Sequence, residues 1–431
     1  MSMTIQTVQE RSLDDVPHFP EREKPMGFIM RLAKALHTYG VPAYELEQLM
    51  TTVAERLGYG LQCMSLPTSI TLSLATSEEE GTTFVIRAAP GEINLEKLRR
   101  TTTVAFDVME GRLSPREGAR VLKEITTAPM LYADWMMVPA FGVASAALAR
   151  VFAGGIKEIT IAAIIGLLVG LLVVAQRKWT ALGNALPVLS ALLASVVAFA
   201  GDYFLDTDST YIPLVSGIIV LLPGLMLTIA MAELATQNLV SGTARLFGAG
   251  TIFAQLALGV AIGNMLGGYW FPVDSATTSI VPLPIWSLWL AIAIAGLNFT
   301  LLYQSRFRDS IWMMLAALIA YATSHYASVH LGAPTGAFIG ALAVGATAQI
   351  VNRLLGVAGA VIMLPGFIVL VPGSVGFRSL TALLEHDIIT GLDTAFNMLL
   401  VGIALATGFL LTSLANLPRS EQLGDSRTPD A

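Results

Sequence analysis

The chain has 431 residues, 54% of them hydrophobic and only 13% charged, against roughly 25% charged in ordinary soluble domains. Net charge is −6 without a basic run, which argues against nucleic acid as a partner, and the single cysteine, Cys63, rules out an internal disulfide and suits a reducing compartment. Residues 1–130 hold 14 of the 25 Lys/Arg and 17 of the 31 Asp/Glu, so the charge distribution separates a soluble front from a membrane-embedded body.

Residues 1–25 are polar, lack an apolar core segment and read as a disordered lead rather than a signal peptide, which leaves the N-terminus in the cytosol. From residue 26 to 130 the pattern is that of a small α+β domain in the order ααβββαα. Phe28, Ile29, Leu32, Ala35 and Leu36 share one helical face, with Gly40 as the stop. Leu46, Leu49, Met50, Val53 and Leu57 line a second helix that stops at Gly58. Strands are expected at 61–66, 70–76 and 83–88, separated by Pro67-Thr68-Ser69 and by Glu78-Glu79-Glu80-Gly81. Asn94, after Pro90-Gly91, starts a third helix, and Ser114-Pro115-Arg116-Glu117 forms a capping box for the fourth. His37 and Cys63 are the soft base and nucleophile candidates, but they sit in different elements outside any catalytic motif. His37 reads better as a capping or surface histidine and Cys63 as a small core residue, so the domain is expected to regulate or gate rather than catalyse.

Beyond residue 130, ten apolar segments are long enough to cross roughly 30 Å of hydrocarbon. They lie near 134–153, 159–176, 183–200, 212–232, 246–266, 284–303, 309–326, 334–351, 355–372 and 391–415. With the N-terminus inside, the inner loops carry Arg177, Lys178, Arg245, Arg306, Arg308 and Arg353, and the tail (417–431) adds Arg419 and Arg427. Outer loops carry only Lys157 and Arg378 as bases, together with Asp202, Asp206, Asp208 and Asp274. This alternation puts both termini on the cytosolic side.

Two Pro-Gly breaks interrupt the body, at Leu222-Pro223-Gly224 and at Val371-Pro372-Gly373. Each is followed 19 positions later by the glycine of a hydroxyl-glycine pair, Ser241-Gly242 and Thr390-Gly391, and the two prolines are 149 residues apart. The expected architecture is therefore an α-helical polytopic membrane protein of ten helices in two five-helix inverted repeats, 131–280 and 281–416, behind the α+β cytosolic domain. Such repeats commonly place a transport site at midplane on discontinuous helices. Glycines four apart, Gly166/Gly170, Gly259/Gly263/Gly267 and Gly336/Gly340, provide for close helix packing.

The substrate-pathway candidates are Pro223, Gly224, Ser241, Gly242, Arg245, Pro372, Gly373, Ser374, Arg378, Thr390 and Gly391. Arg245 is a candidate for binding a substrate carboxylate but reads better as an inside-facing topology anchor, whereas Arg378 breaks the positive-inside pattern. Glu233 and Asp393 are candidates for carrying protons, Asp393 also for pairing with Arg378, because intramembrane carboxylates face cavities or partners. Glu385, His386 and Asp387 read as an outer rim. His325 and His330, five apart, fall on different helix faces, so no metal site is expected. Without a P-loop or a dinucleotide fingerprint, an ion gradient rather than ATP is the expected energy source, and no cofactor is implied.

The motifs His37-Thr-Tyr-Gly40, Pro67-Thr68, Pro90-Gly91-Glu-Ile-Asn94-Leu95, Phe152-Ala-Gly154-Gly155, Leu222-Pro223-Gly224, Ser241-Gly242-Thr-Ala-Arg245-Leu246 and Leu370-Val371-Pro372-Gly373-Ser374 occur in this order. Together they resemble the bacterial threonine/serine exporter family over residues 27 to 415. The resemblance implies a secondary transporter of the inner membrane, not an enzyme, that exports small amino acids in exchange for protons. It adds Glu158, at the position where the family often has an acid, as a further proton-coupling candidate. The alternatives are a dicarboxylate exporter on the same scaffold, a membrane-anchored hydrolase and a channel. The partners implied are the substrate, protons and the lipid bilayer, with self-association left open.

Overall fold

The computed structural model describes residues 6–8, 24–76, 79–89, 91–272, 281, 283–371, 373–384 and 387–414. Pro90, Asp274, Pro372, Glu385, His386, Arg419 and Arg427 lie outside the described residues.

The front unit is built on a four-stranded sheet in the order β1-β4-β3-β2. Strands β2 (Gly60–Leu66), β3 (Ser69–Thr76) and β4 (Glu79–Arg87) run antiparallel through hairpins, the first turning at Pro67-Thr68 with Leu66 opposite Ser69. Strand β1 (Gln6–Val8) pairs parallel with β4, a strand within the stretch expected to be a disordered lead. Helices α1 (Lys24–Thr38), α2 (Ala43–Arg56), α3 (Leu95–Met109) and α4 (Pro115–Thr127) complete the unit. The expected inward residues of α1 are all buried, and they pack with Leu46, Met50, Ile70, Leu72, Leu122 and Ile125 in one core. Each such side chain contributes roughly 1.5–3 kcal/mol by leaving water. Local signals in the sequence set the helix ends. Gly40 and Gly58 take positive φ after α1 and α2, the Asn94 side chain accepts the Lys97 N–H, and Ser114 and Glu117 form the capping box.

The body is helical throughout its described length. It comprises α5 (Asp134–Val151), α6 (Ile156–Gln176), α7 (Thr180–Leu205), α8 (Tyr211–Ile218), α9 (Gly224–Ala235), α10 (Leu239–Trp270), α11 (Ile285–Leu302), α12 (Ser310–Leu331), α13 (Ala333–Leu355), α14 (Gly359–Leu370), α15 (Gly373–Leu384) and α16 (Ile388–Leu414). Nine of the ten expected spans fall mainly on one helix each, and the fourth, 212–232, falls on α8 and α9 with the break between them. Among the described residues, seven helical segments carry the length and apolarity of a crossing, or eight if the bent pair Tyr211–Leu221 and Gly224–Ala235 is one span. Helices α5 and α12 are not among them: α5 is bounded by Asp134 and Arg150, and the second half of α12 carries Thr323, Ser324, His325, Ser328 and His330.

Packing in the first set of helices recurs in the second. Helix α6 packs on α5, α7 and α8, α7 on α10, and α9 on α10. Correspondingly, α12 packs on α11, α13 and α14, α13 on α16, and α15 on α16. Between the sets, α5 meets α11, α9 meets α16, and α10 meets α15. The glycine stripes sit at these contacts. A methyl group on Gly166 would stand 2.6 Å from the Phe141 carbonyl oxygen of α5, and one on Gly263 2.8 Å from that of Leu192 on α7.

One expectation needs correction. The ninth span does not end at residue 372 with an outer loop after it, because the chain continues past the break as α15. Each break thus opens a 12-residue helix, α9 in the first set and α15 in the second.

Candidate functional site

The first break follows from its residues. Helix α8 tightens into a 3-10 turn at Ile219–Leu221, Leu222 goes extended, and Pro223 occupies the N-cap position of α9. Proline offers no N–H to continue the helix, and α8 and α9 are bent by 56°. In the second break Val371 is likewise extended, and α15 begins at Gly373.

The two breaks touch. A Cβ on Gly224 would fall on the Val371 side chain and 3.2 Å from the Gly373 Cα, while a Cβ on Gly373 would lie 3.4 Å from the Gly224 Cα and 3.5 Å from Leu222 Cβ. Only glycine lets the two backbones approach this closely. The N-termini of α9 and α15, which are the positive ends of the helix dipoles, therefore start side by side.

These starts line a cavity of about 510 Å³ between the two sets of helices, whose wall includes Leu222, Gly224, Val371, Gly373 and Ser374. It extends along α5 from Met137 to Phe152, roughly 22 Å at the rise of an α-helix. Phe141, Ile292 and Phe299 are among its many apolar residues; among the described residues the only charged ones on its wall are Glu92 and Arg177. Arg177 follows α6 and Glu92 belongs to the front unit, so both sit at the end of the cavity that the front unit covers. Arg177 Nη2 donates to Glu92 Oε2 at 2.6 Å, and Nη1 pairs with Asp134 at the start of α5.

Neither Glu92 nor Arg177 stood out in the sequence. Arg177 was one of several inner-loop cations, and Glu92 sat inside the Pro90-Gly91-Glu92-Ile93-Asn94 motif. The structure gives that motif several tasks. A Cβ on Gly91 would stand 2.5 Å from the Thr38 carbonyl oxygen, so glycine lets the loop lie against the end of α1. Ile93 covers Gly40, and Asn94 caps α3.

A second cluster forms where α2 meets the body. Glu233 is completely buried near the end of α9. Its Oε1 accepts the Ala43 N–H at 3.0 Å, its Oε2 accepts the Ser241 hydroxyl at 2.8 Å, and Arg245 Nε reaches both oxygens at 3.1 and 3.0 Å. Ala43 is the first residue of α2, so a carboxylate of the body satisfies one of the unpaired donors of a front-unit helix. Ser241, Arg245 and Glu233, singled out separately from the sequence, thus meet at the seam between the two units rather than on the cavity wall, while Gly242 packs on Ala230 and Leu234 of α9.

His37 lies beside this seam and is buried, contrary to its expected surface or capping role, because the Pro67-Thr68 turn folds over the end of α1. Its Nε2 is 3.1 Å from the Pro67 carbonyl and its Nδ1 3.4 Å from the Ser65 hydroxyl. Burial holds the imidazole below its usual 6.5; the Pro67 bond opposes this, and the nearby Arg245 adds to it. Cys63 is a half-buried strand residue whose thiol is pushed up to about 12, by burial and then by Glu47. At neutral pH that thiol is not a nucleophile.

The remaining candidates scatter. Glu158 is buried, with Oε2 accepting the Gly155 N–H and Oε1 the Asp208 N–H, so it ties the start of α6 to the segment after α7. Arg378 and Asp393 are exposed, and among the described residues no ion pair joins them; Asp393 instead accepts from Asn397 one turn further on. Thr390 is exposed and donates its N–H to Asp387, which caps α16, and buried Gly391 accepts the Ser379 hydroxyl at 2.6 Å.

Residues 27–267 match the family model described as "Putative threonine/serine exporter", and residues 288–415 the one described as "Threonine/Serine exporter, ThrE". Among curated proteins, the chain is 26% identical over 93% of its length to 52% of an uncharacterised protein of Schizosaccharomyces pombe. It is 27% identical over 82% of its length to 48% of pheromone-regulated membrane protein 10 of Eremothecium gossypii. The namesake in Saccharomyces cerevisiae is 26% identical over 85% of this chain and 48% of its own length. The chain therefore spans about half the length of these relatives, which are fungal. No solved structure matches.

Proposed function

We propose that this chain, which belongs to the threonine/serine exporter family, is a secondary active transporter that carries threonine, serine or similar small amino acids out of the cytosol through the cavity between its two sets of helices. The observation that carries this reading is the meeting of the two breaks on the cavity wall. Two helix N-termini side by side offer N–H groups and positive dipole ends to a substrate carboxylate, as discontinuous helices do in other transporters. In this reading the twelve helices form ten spans in two inverted five-span repeats, with α8–α9 and α14–α15 as the broken spans and both termini in the cytosol. The recurring packing order supports it, as do the basic residues Arg177, Arg245 and Arg306, which all lie on the side of the front unit. The expectation of a bacterial inner membrane gains nothing from the fungal relatives, so the location we propose is a cell membrane.

Of the substrate-pathway candidates, Pro223, Gly224, Gly373 and Ser374 are assigned to the site, together with Pro372 by its place beside Gly373. Ser241, Gly242 and Arg245 are assigned to coupling between the front unit and α9. Export would be driven by the proton gradient, and Glu233 is the strongest proton-coupling candidate, because it is buried and also holds the seam. Glu158 ties α6 to the segment after α7 and not to the front unit, and Asp393 is exposed.

The test is reconstitution of the full chain in vesicles, following labelled threonine and labelled succinate with an imposed proton gradient and with an uncoupler. Threonine movement that collapses with the uncoupler is expected. Succinate movement without threonine would replace this reading with the dicarboxylate exporter. Threonine movement indifferent to the gradient would leave a facilitator or channel.

A further inference from the structure

We infer that Glu92 and Arg177 form a recognition site for the zwitterionic head of an α-amino acid at the mouth of the cavity, with Arg177 taking the carboxylate and Glu92 the ammonium; this rests on the reading of the cavity as the transport path. Among the described residues Glu92 and Arg177 are the only charged ones on a mostly apolar wall, and they stand at the same end of it. Their pairing joins the front unit to the body, and it is made through one guanidinium nitrogen at 2.6 Å. Arg177 is 21% exposed and Glu92 55%, so solvent and solutes reach both.

An exposed pair of this kind has little net strength of its own. A solute bearing one carboxylate and one ammonium can enter it by exchanging one ion pair for two, with no unpaired charge left behind. Asp134 holds the other guanidinium nitrogen, which keeps Arg177 at the mouth when Glu92 turns to the solute.

The charge count at the mouth also selects between substrate classes. Glu92 and Asp134 against Arg177 leave one net negative charge. A dicarboxylate would bring two more and would meet Glu92 with like charge, whereas a zwitterion adds none.

The experiment measures binding to the purified full chain by calorimetry, using L-threonine, L-threoninamide (no carboxylate), N-acetyl-L-threonine (no ammonium) and succinate. The wild-type protein is expected to bind L-threonine at least about tenfold more tightly than any of the other three. Arg177→Gln should abolish the discrimination against threoninamide, and Glu92→Gln the discrimination against N-acetylthreonine, each leaving the other discrimination in place. Arg177→Lys, which keeps the charge, should retain part of the preference for the carboxylate. Thermal unfolding of each variant checks that the fold persists. Unchanged discrimination in both Gln variants, while the wild type binds and transports threonine, would overturn the recognition site and leave the transporter reading intact. A wild-type chain that binds succinate and not threonine overturns both.

Discussion

Gly224 owes its identity to a neighbour 149 positions away. A methyl group there collides with Val371 and presses on the Gly373 backbone, and overpacking of this kind costs about 1–3 kcal/mol. Gly224→Ala is therefore expected to reduce threonine movement at least tenfold while membrane insertion, followed by surface labelling, stays normal. Gly373→Ala should be milder, since its Cβ would meet only ordinary contacts of 3.4 Å and more. At His37 the outcome depends on pH. Its folded-state value is depressed, so the unfolded chain binds the proton more readily and acid favours unfolding. The stabilisation is complete above about 6.5 and is lost as pH falls from there towards the lowered value. Hydrogen exchange in α1 and β2 should accelerate over that window, and His37→Gln should remove the pH dependence.

At the scale of the elements, the seams between helices carry the next test. Glu233 is buried with Arg245 and caps α2, and removing one partner of a buried ion pair costs about 3–5 kcal/mol. Glu233→Ala should loosen the start of α2, seen as faster exchange at Ala43, while the sheet β2–β4 stays protected. Arg245→Ala should have the same sign. These elements also show what could be read without coordinates. Helix existence was legible wherever apolar runs or caps were strong, as with Asn94 and the Ser114 box, because those signals act within one turn. The helix α15 was not, since Arg378 and the polar cluster after it imitate a loop. Nor does Pro-Gly by itself mark a break: Pro365-Gly366 lies inside α14, whereas Pro223-Gly224 stands at the 56° bend between α8 and α9. What separates them is the partner backbone, which no local pattern contains. The same holds for the candidate residues. Ser241, Arg245 and Glu233 carried a visible signal of chemistry, yet what they do was fixed by Ala43 arriving from 190 residues away. Glu92 and Arg177 carried no signal, each being one ordinary charge among many.

For the whole molecule, the contact between the two breaks can be tested directly. The Cβ positions of residues 222 and 373 would lie 3.5 Å apart, at the lower edge of the range a disulfide requires. In a Cys63→Ala background, Leu222→Cys with Gly373→Cys should cross-link on mild oxidation, shifting mobility after cleavage between the two sets of helices. If transport needs the sets to separate at this point, oxidation stops it and a reductant restores it.

The front unit rests on both sets of helices at once. Its α3 donates the Leu95 and Glu96 N–H groups to the Tyr303 and Gln304 carbonyls after α11, at 2.9 and 3.2 Å, and Glu96 pairs with Arg306. Its α2 is held by Glu233 between α9 and α10. A unit bolted to both sets is a brace. In the proposed transporter, rocking of one set against the other breaks one of these bonds or bends the sheet between them, so their strength adds to the barrier for turnover. A solute or protein that grips the front unit far from the cavity would then throttle the flow without ever entering the path.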